Sequence, residues 1–353
     1  CDMDKRMQYI LNAPNRVGGQ TLVFHNRPAV AAMATIAGEL EAQGTFGHHY
    51  DIVLTDDLWG EESWEKAESK MFEQVVRKAL AKENLSETWV ECLLGGDLLN
   101  QIIAANFAAR QLGLPFLGLY GACSTMAESL LLGSVLVSGG FMSCVACAVT
   151  SHFSTAERQY RMPLEMGTQR TPTAQRTVTG AGCTVLVAPG SPAAKNIEIT
   201  HGTVGKVIDL GIKDANNMGA AMAPAAADSI CAHLADTGRT VDDYDLIVTG
   251  DLGALGAELA RELCLQRGVD LKDKHLDCGD SIFTPEQDMK AGGSGCACSA
   301  IVLNAYLLKE MMSGTYNRVL FLATGALLSV SSTQQGESIP CVAHAVVFER
   351  RAD

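Results

Sequence analysis

Short sequence motifs recur along this chain at one fixed separation, which indicates that a structural unit occurs twice. The triplet A-C-S stands at 122–124 and again at 297–299, and the pair S-G stands at 138–139 and again at 313–314. Apolar runs at 145–148 and 320–323 keep the same separation. One chance match would carry little weight, but three matches at one separation predict an internal duplication.

A fourth repeated motif shows how the two copies differ in length. G-D-L occurs at 96–98 and at 250–252, closer together than the other pairs, so the second copy contains an insertion that segments such as 283–292 can fill. We therefore predict an α/β protein of two duplicated halves with pseudo-twofold symmetry, residues 1–193 and 194–353, joined by a link at 190–196.

Composition sets the class of protein. With 353 residues, 47% hydrophobic and 19% charged, the chain can bury the cores of two globular units. A net charge of −13 disfavours a nucleic-acid partner. Twelve cysteines without an export leader indicate reduced thiols in the cytoplasm. Cys144 and Cys147 have the spacing of a metal or redox pair, but their apolar surroundings favour buried small side chains.

The stretch 129–156 contains no Asp, Glu, Lys or Arg, which raises the question of a membrane span. Gly139-Gly140 interrupts the stretch, so we predict a buried helix, a turn and a central strand, and no transmembrane segment.

Periodicity predicts strands that alternate with helices in a mostly parallel sheet covered on both faces. A polar loop at 152–176 and a hairpin at 178–188 interrupt this order. The predicted helices are 62–82, 98–112, one starting near Ser124, 225–234, 254–267 and 299–312, and the predicted strands are 20–25, 50–55, 89–94, 116–119, 144–149, 198–204, 246–249, 319–323 and 342–348.

Cys123 is the strongest candidate for chemistry. It follows a predicted strand and precedes a helix, and the positive end of a helix stabilises a thiolate. Small neighbours in G-A-C-S-T (121–125) leave room for a ligand. A small core residue is the alternative, because Cys298 occupies the corresponding position of the second copy without obvious chemistry.

The cysteine, the duplication and V-T-G-A-G-C-T-V-L (178–186) together resemble the thiolase and ketoacyl-synthase superfamily. Four further words, at 121–125, 222–228, 291–300 and 323–329, resemble the stage V sporulation protein AD family within it. The resemblance covers the chain from about Leu54 onward; the first fifty residues match less well.

This resemblance implies a thiolase-like five-layer αβαβα fold whose central helices begin at Ser124 and Ser299. It implies a sporulation protein that binds dipicolinic acid, free or as its calcium chelate, during uptake into the developing spore. The implied partners are other stage V sporulation channel proteins and a second copy in a homodimer. The expected location is cytoplasmic, or peripheral on the spore inner membrane through those partners.

The sequence departs from the enzymes of this superfamily, which pair their cysteine with His and a second His or Asn. The corresponding loops read T-G-D-L-G (249–253) and A-G-G-S-G (291–295), without an imidazole. An aspartate beside the thiol would also disfavour a thiolate. We therefore expect a non-catalytic receptor; the alternative is a Cys-dependent acyltransferase with Cys123 as nucleophile.

Several side chains are candidates for the binding site. Arg161, Arg170 and Arg176 in the polar loop could pair with a carboxylate, as could Arg158, and His275 could replace a missing imidazole. The candidate ligand-binding residues are Cys123, Ser124, Asp251, Gly293, Ser294, His275 and Arg158. For calcium the candidate ligands are Asp97, Asp251 and Asp280, and no other cofactor is expected.

Overall fold

The computed structural model describes residues 13–159, 164 and 170–351. Its strands are β1 (Arg16–Val17), β2 (Thr21–Val23), β3 (Ala29–Ala37), β4 (Ile52–Val53), β5 (Cys92–Gly96), β6 (Phe116–Gly118), β7 (Cys144–Ser151), β8 (Arg176–Thr177), β9 (Gly180–Val187), β10 (Ile197–Thr203), β11 (Leu246–Thr249), β12 (His275–Asp277), β13 (Gly293–Ser294), β14 (Arg318–Ala326) and β15 (Cys341–Arg350).

Helices separate most of these strands. They are α1 (Glu39–Ala42), α2 (Trp64–Lys82), α3 (Ile103–Leu112), α4 (Thr125–Ser138), α5 (Phe153–Arg158), α6 (Met218–Thr237), α7 (Gly253–Gln266), α8 (Cys278–Ser281), α9 (Cys296–Val302), α10 (Leu308–Ser313) and α11 (Val330–Gln334). A π-helical turn, Leu303–Leu307, joins α9 to α10.

Strand order shows the duplication directly. The first half runs β6-β5-β7-β9-β3 and the second runs β12-β11-β14-β15-β10. In each half the first two pairings are parallel and the next two are antiparallel. The two five-stranded sheets meet at one antiparallel pair, Ala29 with Glu198. The predicted duplication is therefore confirmed.

Alternation along the strands separates three layers of core. In β7, Val145 and Cys147 face a core between the two sheets, whereas Ala146 and Ala148 face an outer core. Helices α4 and α9 lie in the middle core. Helices α2 and α3 cover the outer face of the first sheet, and α6 and α7 cover that of the second. The five-layer αβαβα fold is confirmed.

Helix α2 shows how local sequence fixes one of these outer helices. The Ser63 hydroxyl caps its start by accepting a hydrogen bond from the Lys66 amide at 3.3 Å. Its apolar residues recur every three or four positions and are buried against the first sheet. This periodicity predicts a helix at 62–82, and α2 confirms it.

Several sequence-based expectations need correction. The sheet is mixed rather than mostly parallel, since half of the pairings within each five-stranded sheet are antiparallel. The stretch 178–188 contains the single strand β9 and not a hairpin, because Gly180 and Gly182 allow close approach to Ile36 and Ala300 instead of a turn. The polar loop contains α5; Arg161 lies outside the described residues.

The helix boundaries also shift. The helix predicted at 225–234 spans Met218–Thr237, because its alanine-rich start packs against α7. The second central helix begins at Cys296, one turn before Ser299, so Cys298 is inside the helix and wholly buried. Cys144 and Cys147 are buried on opposite faces of β7, so the two thiols do not share one site.

In the described part of the chain, no helix is both long and apolar enough to cross a bilayer. The charge-free stretch instead forms α4, the Gly139-Gly140 turn and β7, as its interrupted pattern predicts.

Gly182 tests the contact between β9 and α9. A Cβ atom there would lie 2.7 Å from the Ala300 Cβ and 2.9 Å from its carbonyl carbon. We expect Gly182→Ala to lower the free energy of unfolding by about 1–3 kcal/mol through overpacking. Denaturant titration measures this. Gly19→Ala is the control, because its Cβ would meet only an atom at 3.7 Å; equal stability of the two variants would contradict the close central packing.

Candidate functional site

Cys123 lies in a tight turn at the start of the first central helix. A 3₁₀ turn, Ala122–Ser124, leads into α4, and Ala122 adopts the left-handed region with φ 50°. The Ser124 hydroxyl donates to the Gly121 carbonyl at 2.6 Å, and the Thr125 hydroxyl donates to the Ala122 carbonyl at 2.7 Å. These short-range bonds fix the direction of the cysteine side chain.

The thiol faces a cavity of about 110 Å³ between the two halves. A second cavity of about 350 Å³ shares Tyr120 and Leu328 with the first and extends it toward the surface. The first cavity is lined by Leu98, Tyr120, Ala122, Cys123, Ala156, Glu157, Gln159, Thr177, Met218, Ser294, Ala326 and Leu328.

A buried carboxyl group stands beside the thiol. Asp251 has no exposed surface, and its Oδ1 accepts a hydrogen bond from the Thr324 hydroxyl at 2.7 Å. Its Oδ2 accepts from the Ser294 hydroxyl at 3.2 Å and from the Gly295 amide at 3.1 Å. The Cys123 Sγ lies 4.0 Å from the Ser294 Oγ. Cys123, Ser294 and Asp251 are therefore brought together, as the sequence predicts.

The environment keeps this thiol protonated. Burial raises the pKa of Cys123 well above its ordinary value, and the neighbouring Asp251 carboxyl raises it further. Burial also raises the pKa of Asp251. A helix start favours an anion by only about 0.3–2 kcal/mol, whereas burying a charge costs several kcal/mol. The expectation of a stabilised thiolate at Cys123 is therefore wrong.

His275 does not take the place of a catalytic imidazole. It lies on β12, where its Nε2 is 2.8 Å from the Thr249 hydroxyl and its Nδ1 is 3.3 Å from an Arg261 nitrogen. Burial and the Arg261 charge lower the pKa of His275 to about 4. Among the described residues that line the Cys123 cavity there is no histidine.

Other candidate ligand-binding residues make structural contacts outside the cavity lining. The Gly293 carbonyl accepts a hydrogen bond from Gln175 at 2.8 Å, and the Ser124 hydroxyl is satisfied within its own turn. Arg158 pairs with Glu65 and lies 5.6 Å from the centre of the Trp64 ring. The structure does not bring Ser124, Gly293 or Arg158 into the lining.

The three candidate calcium ligands are spread over separate places. Both oxygens of Asp97 accept backbone N–H groups, from Leu99 and Ala105, each at 2.7 Å. Asp280 is exposed on α8, whereas Asp251 is buried beside Cys123. Within the described ranges, no group of three or more His, Cys, Asp or Glu side chains could hold a metal ion.

Some residues of the site were not predicted. Thr177, Glu157 and Gln159 line the cavity, and the Gln175 amide donates to the Asp251 carbonyl at 2.6 Å. Of these residues, only Thr177 could have been suspected from the sequence, because it directly precedes the V-T-G-A-G-C motif at 178–183. The others reach the cavity because α5 packs on β8, which pairs with β13 of the second half, a long-range contact that no local pattern encodes.

Solved structures place this architecture among thiolase-like proteins. The chain is similar to 3-oxoacyl-[acyl-carrier-protein] synthase III from Aquifex aeolicus (14% identity, TM-score 0.57), covering 91% of this chain and 99% of that one. It is also similar to a variant of OleA from Xanthomonas campestris (17%, TM-score 0.60, 92% and 98%) and to human mitochondrial 3-ketoacyl-CoA thiolase with CoA (13%, TM-score 0.57, 94% and 99%). The chain has a thiolase-like fold.

Sequence comparison then gives the family. The profile of stage V sporulation protein AD (SpoVAD) matches residues 18–349. Stage V sporulation protein AD of Bacillus subtilis (strain 168) is 48% identical over 333 residues, which cover 94% of this chain and 97% of that protein. The chain belongs to the stage V sporulation protein AD family.

Asp251→Asn tests the electrostatics of the site. Removing the carboxyl charge lowers the pKa of Cys123, so at a fixed pH of about 8–9 a larger fraction of the thiol is ionised and alkylation of Cys123 is faster. Alkylation rates against pH, read by peptide mass spectrometry, measure the change. The exposed Asp280→Asn is the control; an unchanged rate in Asp251→Asn would contradict this account.

Proposed function

We propose that this chain binds dipicolinic acid, free or as its calcium chelate, in the Cys123 cavity and does not turn it over. The observation that supports binding without turnover is that the Cys123 thiol faces the buried carboxyl group of Asp251. Family membership supports a role in sporulation, since the B. subtilis relative carries a stage V sporulation name.

Acyl transfer requires groups that accept a proton from the thiol and donate hydrogen bonds to a developing oxyanion. The ionised Asp251 carboxylate has no hydrogen to donate to an oxyanion, and its negative charge opposes both a neighbouring thiolate and a developing oxyanion. Its carboxyl oxygens are moreover occupied by Thr324, Ser294 and Gly295. The cavity thus has a protonated thiol at its base, which suits a receptor.

Charge in the cavity favours the calcium chelate over the free dianion. Among the described lining residues there is no lysine or arginine, and Glu157 is the acidic member. An Arg170 nitrogen lies 3.5 Å from Glu157 and offsets its charge. Calcium neutralises both carboxylates of dipicolinate, and the neutral chelate then needs only hydroxyl partners such as Thr177 and Ser294.

Calorimetric titration of the full chain with dipicolinate tests the proposal. We expect binding in the presence of equimolar calcium that weakens at least about ten-fold when EGTA removes the metal, since a dianion would otherwise enter without a counter-charge. Thr177→Val should weaken binding by about three- to ten-fold through one lost hydrogen bond. The exposed Thr315→Val is the matched control.

The outcomes separate the alternatives. Tighter binding of the metal-free dianion would contradict the preference for the chelate. Absence of heat with either form would contradict the receptor and favour a purely structural scaffold.

The competing function, a Cys123-dependent acyltransferase, makes a different prediction. Because the thiol stays protonated, we expect no stoichiometric adduct in intact-protein mass spectrometry after incubation with acyl-coenzyme A at neutral pH. Cys123→Ser should retain dipicolinate binding. An adduct that is present in the native chain and lost in Cys123→Ala would establish the transferase instead.

The same proposal includes a homodimer and other stage V sporulation channel proteins as partners, through which the chain would reach the spore inner membrane. Strand β6 ends the first sheet, and Leu117 in it is 50% exposed. Tyr120, Phe107 and Ile103 expose further apolar surface near this edge. A second copy that pairs along β6 would cover these side chains.

A charge on this edge tests the dimer. Leu117→Lys should shift the native mass in light scattering from dimer toward monomer, because a lysine would be buried in the joined sheet. Leu265→Lys is the matched control, since Leu265 is 52% exposed on α7. Dimers that survive Leu117→Lys would exclude β6 as the interface.

A further inference from the structure

Cys231 differs from the other cysteines that the structure describes. Ten of the eleven described cysteines are buried, and Cys231, on α6, is the partly exposed one. It lies on the outer layer of the second sheet, where α6 packs against α7. The two helices approach closely enough that a Cβ on Gly219 would lie 3.1 Å from the Gly256 Cα. Cys231 plays no part in the Cys123 cavity.

A second thiol faces Cys231 across this helix pair. Asp228 and Cys231 are three residues apart on α6, and Cys264 and Arg267 are three apart at the end of α7, so each pair shares a face of its helix. A salt bridge of 3.3 Å from Arg267 to Asp228 joins these two faces. Cys231 and Cys264 therefore lie on the sides of the two helices that this ion pair joins.

This environment activates the exposed thiol. A hydrogen bond from the Cys264 thiol, together with the charge of Arg267, lowers the pKa of Cys231 to about 7, although partial burial and Asp228 act in the opposite direction. The pKa of Cys264 is raised, first by the same hydrogen bond and then by burial. Both shifts favour ionisation of the partly exposed Cys231 over that of the buried Cys264, and a low-pKa, accessible cysteine beside a second thiol is typical of a reactive cysteine with a resolving partner.

We propose that Cys231 is an oxidation site on the α6–α7 surface and that Cys264 resolves it into an intramolecular disulfide. A hydroperoxide is the oxidant. The Cys231 thiolate attacks the peroxide oxygen, the O–O bond breaks, and a sulfenic acid and hydroxide or alkoxide form. The Cys264 sulfur then attacks the Cys231 sulfur, the S–O bond breaks, and the proton of the Cys264 thiol leaves with the hydroxyl group as water. The disulfide joins α6 to α7.

Alkylation and oxidation of the folded full chain test this proposal. All measurements use the full chain with Cys1→Ser, so that modification of Cys1, which lies outside the described residues, does not add to the signal. At neutral pH we expect iodoacetamide to modify Cys231 about three- to six-fold faster than an unstructured cysteine peptide, since a larger thiolate fraction outweighs lower nucleophilicity. Arg267→Gln should slow this reaction. Hydrogen peroxide should yield one peptide pair linked through Cys231 and Cys264.

Two cysteine variants separate the steps. Cys264→Ser should leave Cys231 open to oxidation but stop at the sulfenic acid, which a cyclic dione probe captures. Cys92→Ser removes a buried thiol of the first half and should change neither reaction. Alkylation of Cys231 no faster than the peptide, or oxidised protein in which Cys231 and Cys264 are not linked to each other, would overturn the proposal.

Discussion

The close packing of α4 and α9 between the two sheets is the constraint on which the rest of the structure depends. Both helices are buried in one core, so the side chains on the facing strands must be small enough to leave room for them. Small residues make this possible: Gly182 lies directly against Ala300, and a Cβ on Gly133 would lie 3.0 Å from the Cys147 sulfur. Interiors packed this densely tolerate little added volume. The start of α4, and with it Cys123, is held by that packing.

The same burial decides the chemistry of the site. A thiol at a helix start is favoured as an anion, yet Cys123 has a raised pKa because it is buried and stands beside Asp251. Placing a carboxyl group between Thr324, Ser294 and Gly295 gives it hydrogen bonds from neutral donors. A fold shared with acyl-transferring enzymes therefore surrounds a protonated sulfur, and the loops of the second half, rather than the fold, determine what the cavity can do.

The duplicated motifs predicted the repeated architecture, because they mark equivalent positions in both halves. The meeting of Cys123, Ser294 and Asp251 followed from the resemblance to the thiolase and ketoacyl-synthase superfamily, whose catalytic loops correspond to 249–253 and 291–295. Sequence alone misplaced His275 and Arg158, which contact Thr249 and Glu65 instead of the cavity. Their positions depend on strand order and on α5, which local periodicity does not encode. The direction of strand pairing was also missed, because antiparallel strands such as β9 are covered on both faces and lack the apolar–polar alternation of most antiparallel sheets.

The early start of α9 has a consequence for symmetry. Cys298 is the counterpart of Cys123, but α9 begins at Cys296, so the second sulfur is enclosed in helix and has no exposed surface. In the first copy the equivalent residues, Ala122–Ser124, form a 3₁₀ turn, and there Cys123 borders a cavity. Of these two equivalent sulfurs, only that of Cys123 borders a cavity. The two halves therefore contribute differently to the site: the first half provides the sulfur, and the second half provides the carboxyl group of Asp251 that faces it.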